Sequence, residues 1–239
     1  MSTLAASLAQ PLTVDAAGPR PGLRMVHSRI IGGLFIGGFL AYGTGFALVT
    51  SVVGAPDFLT TIAAHQSTLV LGALLMLLTI VTDVWRAVVF FPVLGERGRA
   101  TALTYLAAQI ISVVLFFIGA LGLLLTVPLG QFAADAGGAG ADWAKGLGSL
   151  LVQSNAIAYQ MAQMALAFGS LALWAFGFRV RLIPRAFAAW ALVGYVVLLA
   201  GCVAELFGMR ISLMLSTPGA LFELALPFWL FVKGFNPNS

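Results

Sequence analysis

The sequence predicts an all-α fold, a polytopic transmembrane helix bundle of six helices with both chain ends on the cytoplasmic side. Three observations carry this. Hydrophobic residues make up 61% of the 239 residues and charged ones only 8%, where a soluble domain has about 45–50% and about 25%. A soluble chain of this size has too much surface for its volume to hide so many apolar side chains, whereas a bilayer acts as their solvent. The apolar residues also come in long runs: crossing a hydrocarbon core about 30 Å thick takes roughly 20 of them, and in lipid such a run satisfies its own backbone groups as a helix. Finally, the basic residues between the runs are unevenly shared between alternate loops.

Taken in order, residues 1–27 form a tail rich in Ala, Ser and Pro. It lacks the apolar core of about 7–15 residues that a secretory signal needs, so a disordered cytoplasmic tail is expected. The membrane domain, 28–235, then holds spans at 30–53, 67–94, 100–128, 148–178, 186–207 and 211–232, and 236–239 form a short second tail. Pro92, Pro128, Pro184 and Pro218 fall near span ends or kinks, where proline does least harm. The 129–147 segment is rich in Gly and Ala and is expected to be a flexible loop, too short for a domain.

Orientation follows from the positive charges. Arg20, Arg24, Arg29, Arg97, Arg99, Arg179, Arg181, Arg185 and Lys233 belong to the tails and the even-numbered loops, which holds nine of the 12 basic residues on one side. Lys145 and Arg210 are in odd-numbered loops, and Arg86 is within a span. An excess of Lys and Arg marks the cytoplasmic side. The same charges argue against a nucleic-acid partner, because they sit in short loops as topology signals. The expected partner is the lipid bilayer, with anionic lipid attracted by Arg179, Arg181 and Arg185. Gly33, Gly37, Ala41 and Gly45 repeat at four-residue spacing and make a smooth helix face. Packing within the chain accounts for that stripe, which is compatible with a homo-oligomer without requiring one.

Several ordered pieces carry a resemblance. Helix 2 has Asp83 and ends near Pro92-Val93-Leu94. The fourth loop reads Leu182-Ile183-Pro184-Arg185, followed by Trp190 and Gly194. The last run has Pro218, Glu223, Trp229 and Leu230, then Lys233-Gly234-Phe235-Asn236-Pro237. In this order, over roughly 28–237, they resemble domain-of-unknown-function family 4386, a group of small, mostly bacterial integral membrane proteins. The resemblance implies a multi-pass protein of the bacterial cytoplasmic membrane and implies no activity.

Chemistry, if there is any, should lie where charge enters the spans, because ionisable groups there are costly and face the bundle interior. Asp83 and Arg86 are three residues apart and share a helix face. Counted from the outer ends of their spans, Asp83 and Glu223 lie about 18–24 Å deep at 1.5 Å per residue, near or just past the midplane. Arg86 is therefore expected within salt-bridge reach of Asp83 or Glu223, with Glu223 facing inward. Tyr42, Gln109, Tyr159, Gln160 and Gln163 reach similar depth, as do Thr44, Tyr105 and Asn155, so five helices aim polar side chains at a common zone.

Two readings follow. In one, the chain is a structural or regulatory membrane protein in which Arg86 neutralises the carboxylates and the amides and phenols complete a network that only stabilises the bundle. In the other, the zone is a polar cavity that binds or conducts a small molecule, an ion or a proton. A third class, an intramembrane enzyme acting on lipid, has only the carboxylates in its favour, because phosphate-loop, nucleophile-elbow and paired-His motifs are missing. No cofactor is expected. His27 and His65 fall on opposite sides of the membrane and cannot sandwich a haem, and the lone Cys202 builds no zinc site. His65 with Gln66 lacks a fixed acidic neighbour, so no metal is expected. Glu205 and Arg210 are expected to form an interfacial ion pair.

Overall fold

The computed structural model describes residues 21–236, with side chains from Arg24 onward. Seven α-helices fill it: α1 (Pro21–Val53), α2 (Phe58–Ala64), α3 (Gln66–Leu94), α4 (Arg99–Ala136), α5 (Gly138–Val180), α6 (Arg185–Leu206) and α7 (Ser212–Val232). A single 3₁₀ turn, Glu96–Gly98, joins α3 to α4. Six of the seven are long and apolar enough to cross a membrane, and α2 is the exception. The chain is a multi-pass helical membrane protein.

The six long helices form a ring. α1 packs on α3, α3 on α4, α4 on α5, α5 on α6 and α6 on α7, and α7 returns to α1. One end of the ring gathers both ends of the described chain and is called here the termini end. The other, with α2 and the α4–α5 turn, is the far end.

Three expectations change at the boundaries. The 129–147 segment is a helical hairpin. Its alanines favour helix, and it has something to pack on: α2 lies against α4, burying Leu59 and Ile62, while Leu129, Gly130, Ala144 and Gly148 are buried in turn. The reversal takes two glycines, Gly137 and Gly138, both at positive φ (58° and 46°), a conformation that residues with a Cβ avoid. Pro128 consequently lies inside α4. At the start, α1 already begins at Pro21, so residues 21–27 are helical; the remainder of the expected tail, and residues 237–239, lie outside the described residues.

The small-residue stripe on α1 divides in two. Gly45 meets α3 so closely that a Cβ on it would lie 2.6 Å from the Gly72 carbonyl oxygen. Gly33 and Gly37 are exposed, with open space where a Cβ would be. Only part of the stripe is spent on packing within the chain.

Candidate functional site: a polar cavity inside the ring

All six long helices contribute to a cavity of about 270 Å³ in the middle of the ring. It is lined by Phe35, Gly38, Phe39, Tyr42 and Gly43 from α1, Thr79, Asp83 and Arg86 from α3, Phe116 from α4, Tyr159 and Gln163 from α5, Tyr195 and Leu198 from α6, and Leu213, Ser216 and Glu223 from α7. That volume is close to the lower bound of small-molecule sites, about 300 Å³.

One wall is charged. Arg86 Nη2 lies 2.9 Å from Asp83 Oδ1, both side chains 5% exposed. The i,i+3 spacing on α3 brings them to one face. Arg86 Nε donates to the Tyr105 hydroxyl at 3.1 Å, and Gln109 Nε2 donates to the same oxygen at 2.9 Å. The guanidinium also sits 4.1 Å above the centre of the Phe35 ring, a cation–π contact strengthened by the burial of both side chains. A carboxylate, a phenol and an aromatic face thus fix Arg86.

Across the cavity, Glu223 is half-buried and accepts a hydrogen bond from the Tyr195 hydroxyl at 2.6 Å. No ion pair joins Glu223 to Arg86 within 4.0 Å among the described residues. Two carboxylates and one guanidinium therefore face one space, a formal surplus of one negative charge when both acids are ionised. The aromatic side is a triangle of rings, with centroid distances of 5.7 Å for Tyr42–Tyr159, 5.6 Å for Tyr42–Phe116 and 5.9 Å for Phe116–Tyr159. Gln163 Nε2 donates to the Tyr159 hydroxyl at 3.0 Å. Beyond Tyr42 and Tyr159 lies a second cavity of about 340 Å³, which shares Leu198, Leu213 and Ser216 with the first and adds Asn155, Gln160 and Cys202.

The cavity reaches the side of the bundle. Phe39 (42% exposed), Gly43 and Leu213 (84% exposed) line it and are also open on the surface. They belong to α1 and α7, the two helices that close the ring. α1 and α7 meet at the termini end, where Gly32 packs against Phe231 and Pro227 and the Ser28 hydroxyl accepts from the Phe235 N–H at 3.0 Å. Toward the far end the cavity lies between them and opens where Phe39, Gly43 and Leu213 are exposed.

Of the eight residues expected in a polar cluster, Asp83, Arg86, Glu223, Tyr42, Tyr159 and Gln163 line this cavity. Gln109 stands behind it, fully buried against Tyr105. Gln160 turns toward α7 and donates to the Ser212 hydroxyl at 3.0 Å. The expected Glu205–Arg210 pair does not form. Glu205 Oε2 instead accepts from the Ser212 backbone N–H at 3.1 Å, at the start of α7, where unpaired N–H groups and the helix dipole favour an anion. Arg24, read as a topology charge, is 8% exposed and donates to the Asn236 carbonyl at 2.6 Å and the Val93 carbonyl at 3.3 Å. Tyr195 and Phe35 escaped sequence reasoning: each sits in an apolar run, and only the ring geometry shows that they serve Glu223 and Arg86.

The comparisons with known proteins give a family and no activity. Residues 30–234 match the family described as a domain of unknown function (DUF4386), and the chain belongs to that family of unassigned activity. No curated protein and no solved structure matches it.

Proposed function

We propose that this is a solute-binding protein of the bacterial cytoplasmic membrane, both ends inside, whose central cavity takes a small cation, an organic amine or a proton. The observation that carries the reading is the cavity itself: a space of about 270 Å³ lined by Asp83, Arg86 and Glu223 together. A network that served only to hold the bundle would be expected to close dry around its charges. The surplus carboxylate favours a positive charge, and the Tyr42, Tyr159 and Phe116 rings offer π faces that attract one. An opening between α1 and α7 fits a ligand that partitions into the bilayer. The structural alternative is supported by the 2.9 Å Asp83–Arg86 pair, which is already neutral without a ligand. The enzymatic alternative has the Tyr195 hydroxyl beside the Glu223 carboxylate at 2.6 Å, but no further observation supports it.

A thermal-shift screen of the purified protein with alkali cations and a graded series of organic amines tests the reading. A binding amine or cation should lose its shift in Glu223→Gln and in Gly43→Phe. Gly43 stands at the cavity mouth, and a Cβ on it meets nothing within 4 Å, so a phenylalanine there is placed to obstruct the mouth. If no cation or amine shifts the wild type while Gly43→Phe gains stability, the structural alternative holds.

A further inference from the structure

The termini end carries a smaller pocket, separate from the central cavity. It measures about 260 Å³ and lies where α5 ends, α6 begins and α7 ends. Its walls include Arg181, Arg185 and Lys233, and no Asp or Glu lines it. None of the three cations has an ion-pair partner among the described residues.

Charges placed only to orient a membrane protein need no common focus, and they need no unfavourable backbone. Here both are found. Arg181 sits at φ 57°, ψ 42°, the one non-glycine with positive φ among the described residues. A left-handed residue after a helix is usually Gly or Asn, so an arginine here opposes local preference, and such residues cluster at functional sites. The Arg185 guanidinium is held 5.7 Å from the centre of the Phe178 ring. Pro184, the N-cap of α6, also lines the pocket, which places the positive end of a full-length helix beside the three cations. The opposing carbonyls are already occupied: Gly177 O accepts from Leu182 N, Trp229 O from Lys233 N and Gly234 N, and Leu182 O from Asn236 N. Trp229 lines the pocket as well, and its indole N–H is buried with no acceptor among the described residues.

We propose that this pocket binds a phosphate group, that of an anionic phospholipid headgroup in the leaflet at the termini end. Depth favours the lipid over a soluble phosphate. α6 and α7, of 22 and 21 residues, are each roughly 32 Å long at 1.5 Å per residue, about one hydrocarbon thickness. Arg185 is the first residue of α6 and Lys233 follows the last of α7, so both lie at headgroup level. Trp229 adds an aromatic ring of the kind enriched at that boundary.

The test titrates the full-length protein in zwitterionic detergent with short-chain phosphatidylglycerol, short-chain phosphatidylcholine or inorganic phosphate, and counts bound molecules by native mass spectrometry. One phosphatidylglycerol should bind about tenfold or more tightly than phosphatidylcholine, as expected for two or three cations near a headgroup. That preference should vanish in Arg181→Gln/Arg185→Gln/Lys233→Gln. It should survive in Arg97→Gln/Arg99→Gln, which removes two charges from the same end outside the pocket. Equal losses in the two charge variants would mean diffuse attraction and overturn the site. Inorganic phosphate binding as tightly as the lipid would overturn the headgroup assignment and leave a soluble phosphate as the ligand. Arg181→Gly guards against misfolding: it should raise the melting temperature by relieving the backbone, yet weaken phosphatidylglycerol. A stabilised Arg181→Gly that keeps full affinity would show that the strained arginine does not serve the anion.

Discussion

The two ends of the ring are closed in different ways. At the termini end all six long helices meet in one core of large side chains, among them Phe90, Trp174, Phe222 and Leu230. Phe90 and Phe222 both meet Trp174 edge to face, with centroids 6.3 and 5.1 Å apart, and Arg24 and Ser28 tie Asn236 and Phe235 to α1. At the far end the core is aliphatic, with Val49, Ile62, Leu69 and Leu123, and it is built from α1 to α5. α6 and α7 take no part in it, because they stop after one span while α4 and α5 continue for 38 and 43 residues. The α6–α7 hairpin thus joins a large core at one end only, with Gln160–Ser212 tying it to α5 at the other, and the cavity opens where its contact with α1 stops. A ring closed at one end and held apart at the other creates an internal space without any strained element around it.

Breaking the charged wall between the two cores should have the largest effect. Arg86→Met leaves Asp83 buried without its partner, and removing one member of a buried pair costs about 3–5 kcal/mol. Unfolding in detergent should show that loss. Adding Asp83→Asn and Glu223→Gln should restore part of it, since the stranded charges go too. A triple variant no more stable than Arg86→Met would mean that Arg86 acts through its packing on Phe35 and its bond to Tyr105, not through charge.

The anchored end comes next. Arg24→Met removes a short hydrogen bond from a charged donor to the Asn236 carbonyl, worth about 1.5–3 kcal/mol when the donor is ionised, and a longer, weaker one to the Val93 carbonyl. We expect a loss of about 2–3 kcal/mol together with faster proteolysis of the chain after Val232. If cleavage instead rises first in the α4–α5 turn, the termini end is not what anchors α7. The far end should be more forgiving. Gly45→Ala pushes a Cβ to within 2.6 Å of the Gly72 oxygen, and overpacking of this kind costs about 1–3 kcal/mol. The charged wall and Glu223 lie away from that core, so binding of a cavity ligand should change less than stability, and a matching loss of affinity would show that the shift of α1 reaches the site through Tyr42.

Legibility from the sequence followed the same division. The spans could be read because lipid imposes one rule on every backbone group. Asp83 and Arg86 could be paired because the pairing is local, three residues apart on one helix. What depended on neighbours across the ring could not be read. Arg210 is the cation nearest to Glu205 in sequence, but the start of α7 offers its carboxylate a backbone donor, the Ser212 N–H. The 129–147 segment looked like a loop because Gly and Ala lack long side chains, yet they let α4 and α5 run close together once α2 supplied something to bury. Arg24 reads as a solvated charge in the sequence because its partner, the Asn236 carbonyl, lies 212 residues away along the chain.

The smallest effect should come from Tyr195, and it separates the two readings of the cavity. Tyr195→Phe removes one hydroxyl, 2.6 Å from Glu223 Oε1, and keeps the ring packed against Phe222. A lost hydrogen bond to a charged acceptor costs about 1.5–3 kcal/mol when that acceptor is left dry. Glu223 borders the cavity and is half-buried, so water entering the cavity would replace the phenol and the loss should fall to about 1 kcal/mol or less. A loss near 3 kcal/mol would mean that water does not reach the carboxylate, and the structural reading would gain. If the cavity is wet and binds a cation, the loss of stability should be slight while affinity for the amine or cation changes severalfold, because the hydroxyl that fixed one carboxylate oxygen toward the ligand is gone. Measuring both quantities on one variant therefore asks whether Glu223 is there to hold α6 to α7 or to face what enters between α7 and α1.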